Sequence, residues 1–323
     1  MNAMIRSGDT ALYWRAQRER NRGLLGLFAV VAAFLALYAY LFPGLLTVAG
    51  ISKFAQSWLP LALVAMAQAI LMLTGGISLA IGATVSLGAV IAATTMTGYL
   101  GVAGGVVAVS AAGLAIGALC GVIAIRLRLP AIIVTLAAAF IIAGLALLIL
   151  PRPGGAIPGW FSDLLAGNTP AALFILIFIA LLWKLYLATP LGLSLYAAGE
   201  NPVGAYRAGV PVDAARIAAY AISGLLSTLA GLFIAAQTGS GDPVIGQAFT
   251  LNSIAAAVLG GVGFLGGRGT MRGAIAGSLL LSVMINVMFF LGFSPVAQYV
   301  AQGLIIIGAV ALPQITARFR RTR

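Results

Sequence analysis

Apolar stretches of roughly 20 residues, each enough for a helix to cross the hydrocarbon core of a bilayer, follow one another through almost the whole sequence. They read as 24–42, 55–73, 79–97, 101–125, 131–150, 170–187, 217–236, 251–265, 274–291 and 296–312. None carries a charge near its centre; Lys184 sits close to one end, where its stem can lift the ammonium to water. Peptide groups in lipid find no water, so each stretch must satisfy its own hydrogen bonds as a helix. Only 7% of the 323 residues are charged, against about a quarter in a soluble domain, so most of the outer surface must face lipid. The expected fold class is an all-α polytopic membrane protein with ten transmembrane helices.

The basic residues orient it. With the N-terminus in the cytoplasm, Lys53 and Arg152 alone among the 18 lysines and arginines fall outside, as the positive-inside rule requires. The organisation is then a cytoplasmic tail over 1–23, one transmembrane domain over 24–312 with a cytoplasmic loop over 188–215, and a basic cytoplasmic tail over 313–323. The first stretch is longer than a signal-peptide apolar region and reads as an uncleaved helix. The net charge of +12 is scattered between apolar segments and concentrated at the two ends. That is a set of topology signals rather than a face for nucleic acid.

Several chemistries are excluded. Histidine is absent and Cys120 is the single cysteine, which leaves no disulfide framework and no Cys/His metal site. Asp9, Glu19, Asp163, Glu200, Asp213 and Asp242 all fall in loops or tails, so the carboxylate or histidine relay of a proton-coupled carrier is missing. Lys53 and Lys184 are the only lysines and neither follows a G-x-x-x-x-G, so the chain holds no Walker-type ATPase and binds no nucleotide cofactor itself. A path without charge suits a neutral substrate. The polar residues set to line it are the amides Gln68, Asn252 and Asn286, with Gly76 and Ser78 in a glycine-rich break over 74–82. A second break covers 260–269. Broken helices at membrane depth line cavities; the competing role for these polar groups is plain interhelical hydrogen bonding.

The loop over 191–213 is the most informative. Asn201 is a good N-cap and Pro202 a good first helical residue. Gly209 suits the C-terminal cap and Pro211 blocks continuation. The spacing predicts a helix over 202–208, too short to be stable alone in water, with Asp213 capping the next membrane helix.

The order T-G-G-I-S-L-A-I-G-A, then G-E-N-P-V-G-A-Y-R-A-G-V, then S-I-A-A-A-V-L-G-G-V-G-F-L-G-G-R-G-T resembles the membrane permeases of ribose-type sugar ABC importers, a family shared with branched-chain amino acid permeases. The resemblance runs from about residue 55 to 312. It implies the type II ABC importer permease fold of cobalamin importers in the bacterial inner membrane. It also implies a second permease, identical or related, with two cytoplasmic ATPase subunits that bind ATP and Mg and a periplasmic substrate-binding protein. The permease itself would be non-catalytic and move a monosaccharide or related polyol; a nucleoside, a furanosyl autoinducer or a branched-chain amino acid are the alternatives. From another class, the competing reading is a self-sufficient secondary carrier or channel. The segment matching the family's coupling region supplies Gly199, Glu200, Asn201, Pro202, Ala205, Tyr206, Arg207 and Gly209 as contacts to the ATPase. The family often has aspartate in the first motif, as G-G-I-D-L-S; here Ser78 and Ala80 stand in those positions, and no carboxylate role carries over.

Overall fold

A computed structural model describes residues 28–98, 101–167, 170–294, 296–298 and 300–304. The tails over 1–23 and 313–323 lie outside the described residues, as do parts of the first and last apolar stretches. The described chain is all helical and belongs to a multi-pass membrane protein. Its helices are α1 (Phe28–Leu41), α2 (Val48–Leu73), α3 (Ile81–Thr95), α4 (Gly101–Arg126), α5 (Ala131–Ile149) and α6 (Gly159–Ala166). Then come α7 (Ala171–Leu187), α8 (Pro190–Glu200), α9 (Pro202–Arg207), α10 (Val212–Thr238), α11 (Gln247–Leu259) and α12 (Met271–Phe290). Helical residues follow at 296–298 and 300–304.

By length and composition α2, α4, α5, α10 and α12 can each cross a membrane, and α6 with α7 would make a sixth span as one bent pair. Two elements differ from the sequence expectation in a way that shapes the site. The stretch over 251–265 is helical only to Leu259; Gly260–Gly269 turns into a loop with Leu265 almost fully exposed. The stretch over 217–236 starts earlier, at Val212, with Pro211 at the N-cap position, so Asp213 lies in the first turn instead of capping it. A carboxylate there still favours the positive end of the helix dipole.

α2 is the hub. From Trp58 to Leu73 every residue of it is buried, chiefly by α10, α11, α12 and α7, and Trp58 donates from its indole to Ser278 of α12 at 3.0 Å. α4 and α5 stand at the periphery, most of their residues open to the surroundings. α10 packs on α4 through a row of small residues: a Cβ on Gly113 or Gly117 would come within 2.2 Å of Thr228 or Tyr220, and Gly224 faces back onto Gly113. This is the close backbone approach that small-x-x-x-small spacing permits between membrane helices. Beyond the last turn of α10, Gly241 exchanges backbone hydrogen bonds with Gly154, closing the end of the molecule opposite α9.

Candidate functional site

α9 is a short element held by both ends. Asn201 closes α8 and opens α9; its side-chain oxygen accepts from the Gly204 amide at 2.9 Å, with Pro202 in the first turn. At the other end Gly209 has φ +80°, the Gly209 amide donates to Tyr206, and the Val210 amide donates to Ala205, each at 3.0 Å. That pair of bonds is a Schellman cap, and it needs a residue at ease in the left-handed region. The helix predicted over 202–208 is thus present, with Ala208 as its C-cap. Ala205 faces inward and is buried with Ala198, Val212 and Ala215. Asn201, Val203, Tyr206, Arg207 and Gly209 are exposed, and so is Glu200. An exposed valine and tyrosine on a helix of six residues form an apolar face that no described residue covers.

Underneath, three separate glycine segments meet at one point, the end of α2. The carbonyl of Leu73 accepts from the Gly267 amide at 2.9 Å. Gly199 of α8 packs against the same carbonyl so closely that a Cβ would stand 1.8 Å from it. Gly266 packs on the Gly199 carbonyl and the Gly75 amide, and Gly267 on the backbone of Glu200. The break after α2, the end of α8 and the loop between α11 and α12 therefore touch backbone to backbone. The sequence showed each segment but not their convergence; three glycine-rich segments in a chain of apolar helices were the one available signal.

The five residues set by the sequence to line a path fall in four places. Asn252 and Asn286 come together in a groove of about 410 Å³ with Ser57, Ser282, Gln298 and the rings of Phe249 and Phe289. The Asn286 amide donates to Ser282 at 2.8 Å. The groove continues, past Ser57 and Phe289, into a hollow of about 350 Å³ beside Lys53 and Thr47 at the start of α2. Ser78 lines a small space of about 20 Å³ between α2, α3, α4 and α10, with Thr84, Cys120, Tyr220, Ser223 and Ser227. Its hydroxyl accepts from the Ala80 amide at 3.2 Å. Gly76 lies under the Tyr220 hydroxyl, at the wall of a third hollow lined also by Arg128, Asp213 and Arg216. Gln68 is fully buried within the packing of α2, and neither atom of its amide has a hydrogen-bond partner among the described residues.

Comparison with known proteins places the chain in a family. Residues 50–310 match the family described as branched-chain amino acid transport system / permease component. The ribose import permease protein RbsC of Escherichia coli strain K12 is 30% identical over 307 residues, covering 92% of this chain and 93% of that protein. Its namesake from Haemophilus influenzae is 28% identical over 88% of this chain and 90% of that protein. The autoinducer 2 import system permease protein LsrC of Yersinia pestis (strain Pestoides F) is 33% identical over 77% of this chain and 73% of that protein. No solved structure matches. The three motifs that meet at the end of α2 all lie inside the matched region, and the chain belongs to the permease family of branched-chain amino acid and ribose-type ABC importers.

Proposed function

We propose that this chain is the translocation subunit of an ATP-driven importer of a monosaccharide or related polyol, in a bacterial inner membrane. It crosses the membrane ten times with both termini in the cytoplasm, in the type II importer arrangement, and works beside a second permease, identical or related. ATP and Mg belong to cytoplasmic ATPase subunits, and the solute arrives from a periplasmic binding protein.

The observation that carries this reading is the placement of α9. A doubly capped helix with Val203, Tyr206 and Arg207 outward rests, through α8, on the junction of Leu73, Gly199 and Gly267. A push on α9 by the ATPase would reach the end of α2 and the loop before α12 with almost no compliant side chain between. Both α2 and α12 contribute walls to the groove of Asn252 and Asn286. That groove, with neutral amides, hydroxyls and two aromatic rings and no charged side chain among its described lining, offers hydrogen bonds and stacking to an uncharged polyhydroxylated solute.

The test is reconstitution. The chain, reconstituted with its ATPase in proteoliposomes that enclose ATP and with the binding protein outside, should take up a labelled sugar only when ATP is enclosed. The panel should include ribose and a furanosyl autoinducer, because relatives carry those names, and leucine for the wider family. Uptake by the permease alone, driven by an ion gradient, would overturn the reading.

A further inference from the structure

We propose that the hollow between the end of α2, the α4–α5 turn and the start of α10 binds the phosphate of an anionic phospholipid. Its volume is about 470 Å³, and its lining includes Thr74, Gly75, Arg128, Asp213 and Arg216. All four flanking helices end or begin here, so the hollow lies at the membrane boundary, where lipid headgroups are.

Three observations point to an anion with an acyl chain. First, no arginine–carboxylate pair within 4.0 Å forms here among the described residues, although Asp213 lines the same space. Arg216 donates from Nη2 to the Ala198 carbonyl at 3.2 Å, and its Nε is buried without an acceptor. A buried donor of this kind calls for a partner. Second, Arg128 occupies the left-handed cap position of α4, with φ +53° and the Leu129 amide donating to Ala124 at 3.0 Å. Glycine fits such a position with less strain; an arginine there sets a guanidinium at the mouth of the hollow at the expense of backbone ease. Third, exposed Leu127 and Leu129 flank Arg128, and the exposed residues Ile132, Leu136 and Phe140 continue along one face of α5. Basic pockets between membrane helices at headgroup depth bind acidic lipids, and an apolar ridge leading away from one provides the bed for a chain. The ends of α2 and α4 and the Asp213 carboxylate oppose an anion; the starts of α5 and α10 and the two guanidinium groups favour it.

A lipid here would brace the α4–α5 turn against α10 and, through Arg216 and Ala198, against α8. The site needs neither ATPase nor sugar, so its test stands apart from the transport reading. The purified chain in dodecyl maltoside should unfold at a higher temperature with dioleoylphosphatidylglycerol than with dioleoylphosphatidylcholine, and retain the former in native mass spectrometry. Arg128→Gly should keep or raise the unfolding temperature without lipid while weakening the phosphatidylglycerol response about ten-fold or more, as for a lost charge-assisted hydrogen bond. Arg216→Gln should weaken it similarly, but only Arg128→Gly separates lost binding from lost bracing. Equal responses to the two lipids, or an Arg128→Gly chain that responds as the parent does, would overturn the proposal. An equal response to sodium phosphate alone would also overturn it, by assigning the site to a free anion.

Discussion

Replacing Gly199 by alanine tests the junction most directly. The new Cβ would stand 1.8 Å from the Leu73 carbonyl oxygen and 2.6 Å from the Gly267 nitrogen. To bring the first contact to 3.0 Å the two backbones must part by roughly 1.2 Å, the difference of those values. Leu73 is fully buried at the end of a helix locked on all sides, so the movement falls on α8 and α9. Overpacking of this kind costs about 1–3 kcal/mol. If the 2.9 Å bond from Gly267 to Leu73 breaks as well, about 1 kcal/mol more is lost. The chain should still insert, because no apolar stretch changes. Its unfolding temperature in detergent should fall, the ATPase recovered by affinity purification should drop about ten-fold, in keeping with a loss above 1.4 kcal/mol, and uptake should follow. Gly144→Ala is the control: that glycine lies within α5 with nothing near its missing Cβ, and alanine there should stabilise by up to about 1 kcal/mol. Wild-type ATPase recovery and uptake in the Gly199→Ala chain would refute the rigid junction.

Tyr206→Ala should leave the unfolding temperature of the isolated permease unchanged, since the ring is exposed. It should cut ATPase recovery about ten-fold or more, as expected of an aromatic anchor. Ala205→Arg should instead lower the unfolding temperature itself, because the guanidinium would enter the space among Ala198, Val212 and Ala215; a chain with unchanged stability would show that Ala205 faces out. Asn252→Leu and Asn286→Leu should each reduce solute uptake while subunit recovery stays at the parental level, and unchanged transport by both would remove the groove of α2, α11 and α12 from the path. Gly117→Val should destabilise the chain by at least about 2 kcal/mol in a denaturation series, since its Cβ would lie 2.1 Å from the Tyr220 carbonyl.

The sequence spoke clearly wherever a signal was local. Apolar runs marked α4, α5 and α12 to within a few residues, and the end of α2, because only a helix satisfies peptide groups in lipid. Asn201, Pro202 and Gly209 marked α9 because capping is decided by the residues that do it. The glycine-rich break over 260–269 is present as read, but the apolar stretch over 251–265 ran into it; the helix stops at Leu259, and glycines with positive φ at 261, 266, 267 and 269 turn the chain out of it. α2 begins at Val48, seven residues before the apolar stretch, behind Thr47, whose hydroxyl accepts from the Gly50 amide at 3.0 Å; cap chemistry outweighed hydropathy there. The inward turn of Ala205, the meeting of Gly75, Gly199 and Gly266, and the separation of Ser78 from Asn252 join residues far apart in the chain. No window of sequence contains such contacts.

The nearly complete enclosure of α2 has a consequence for biogenesis. Of the five helices long enough to cross a membrane, α2 is the least apolar and the most enclosed, while α5 is the most apolar and the least. Each can leave the translocon by its composition, but they depart on different terms: α5 is at home in lipid from the start, whereas α2 carries Gln56 and Gln68 into a solvent that offers amides nothing. The helix that covers it most, α10, begins 139 residues after α2 ends. At synthesis rates of about 5–20 residues per second the ribosome needs on the order of ten seconds to supply it. During that interval α2 is a lodger in the bilayer, open to membrane quality-control proteases and chaperones, and the arrival of α10 fixes when the nascent permease passes out of their reach.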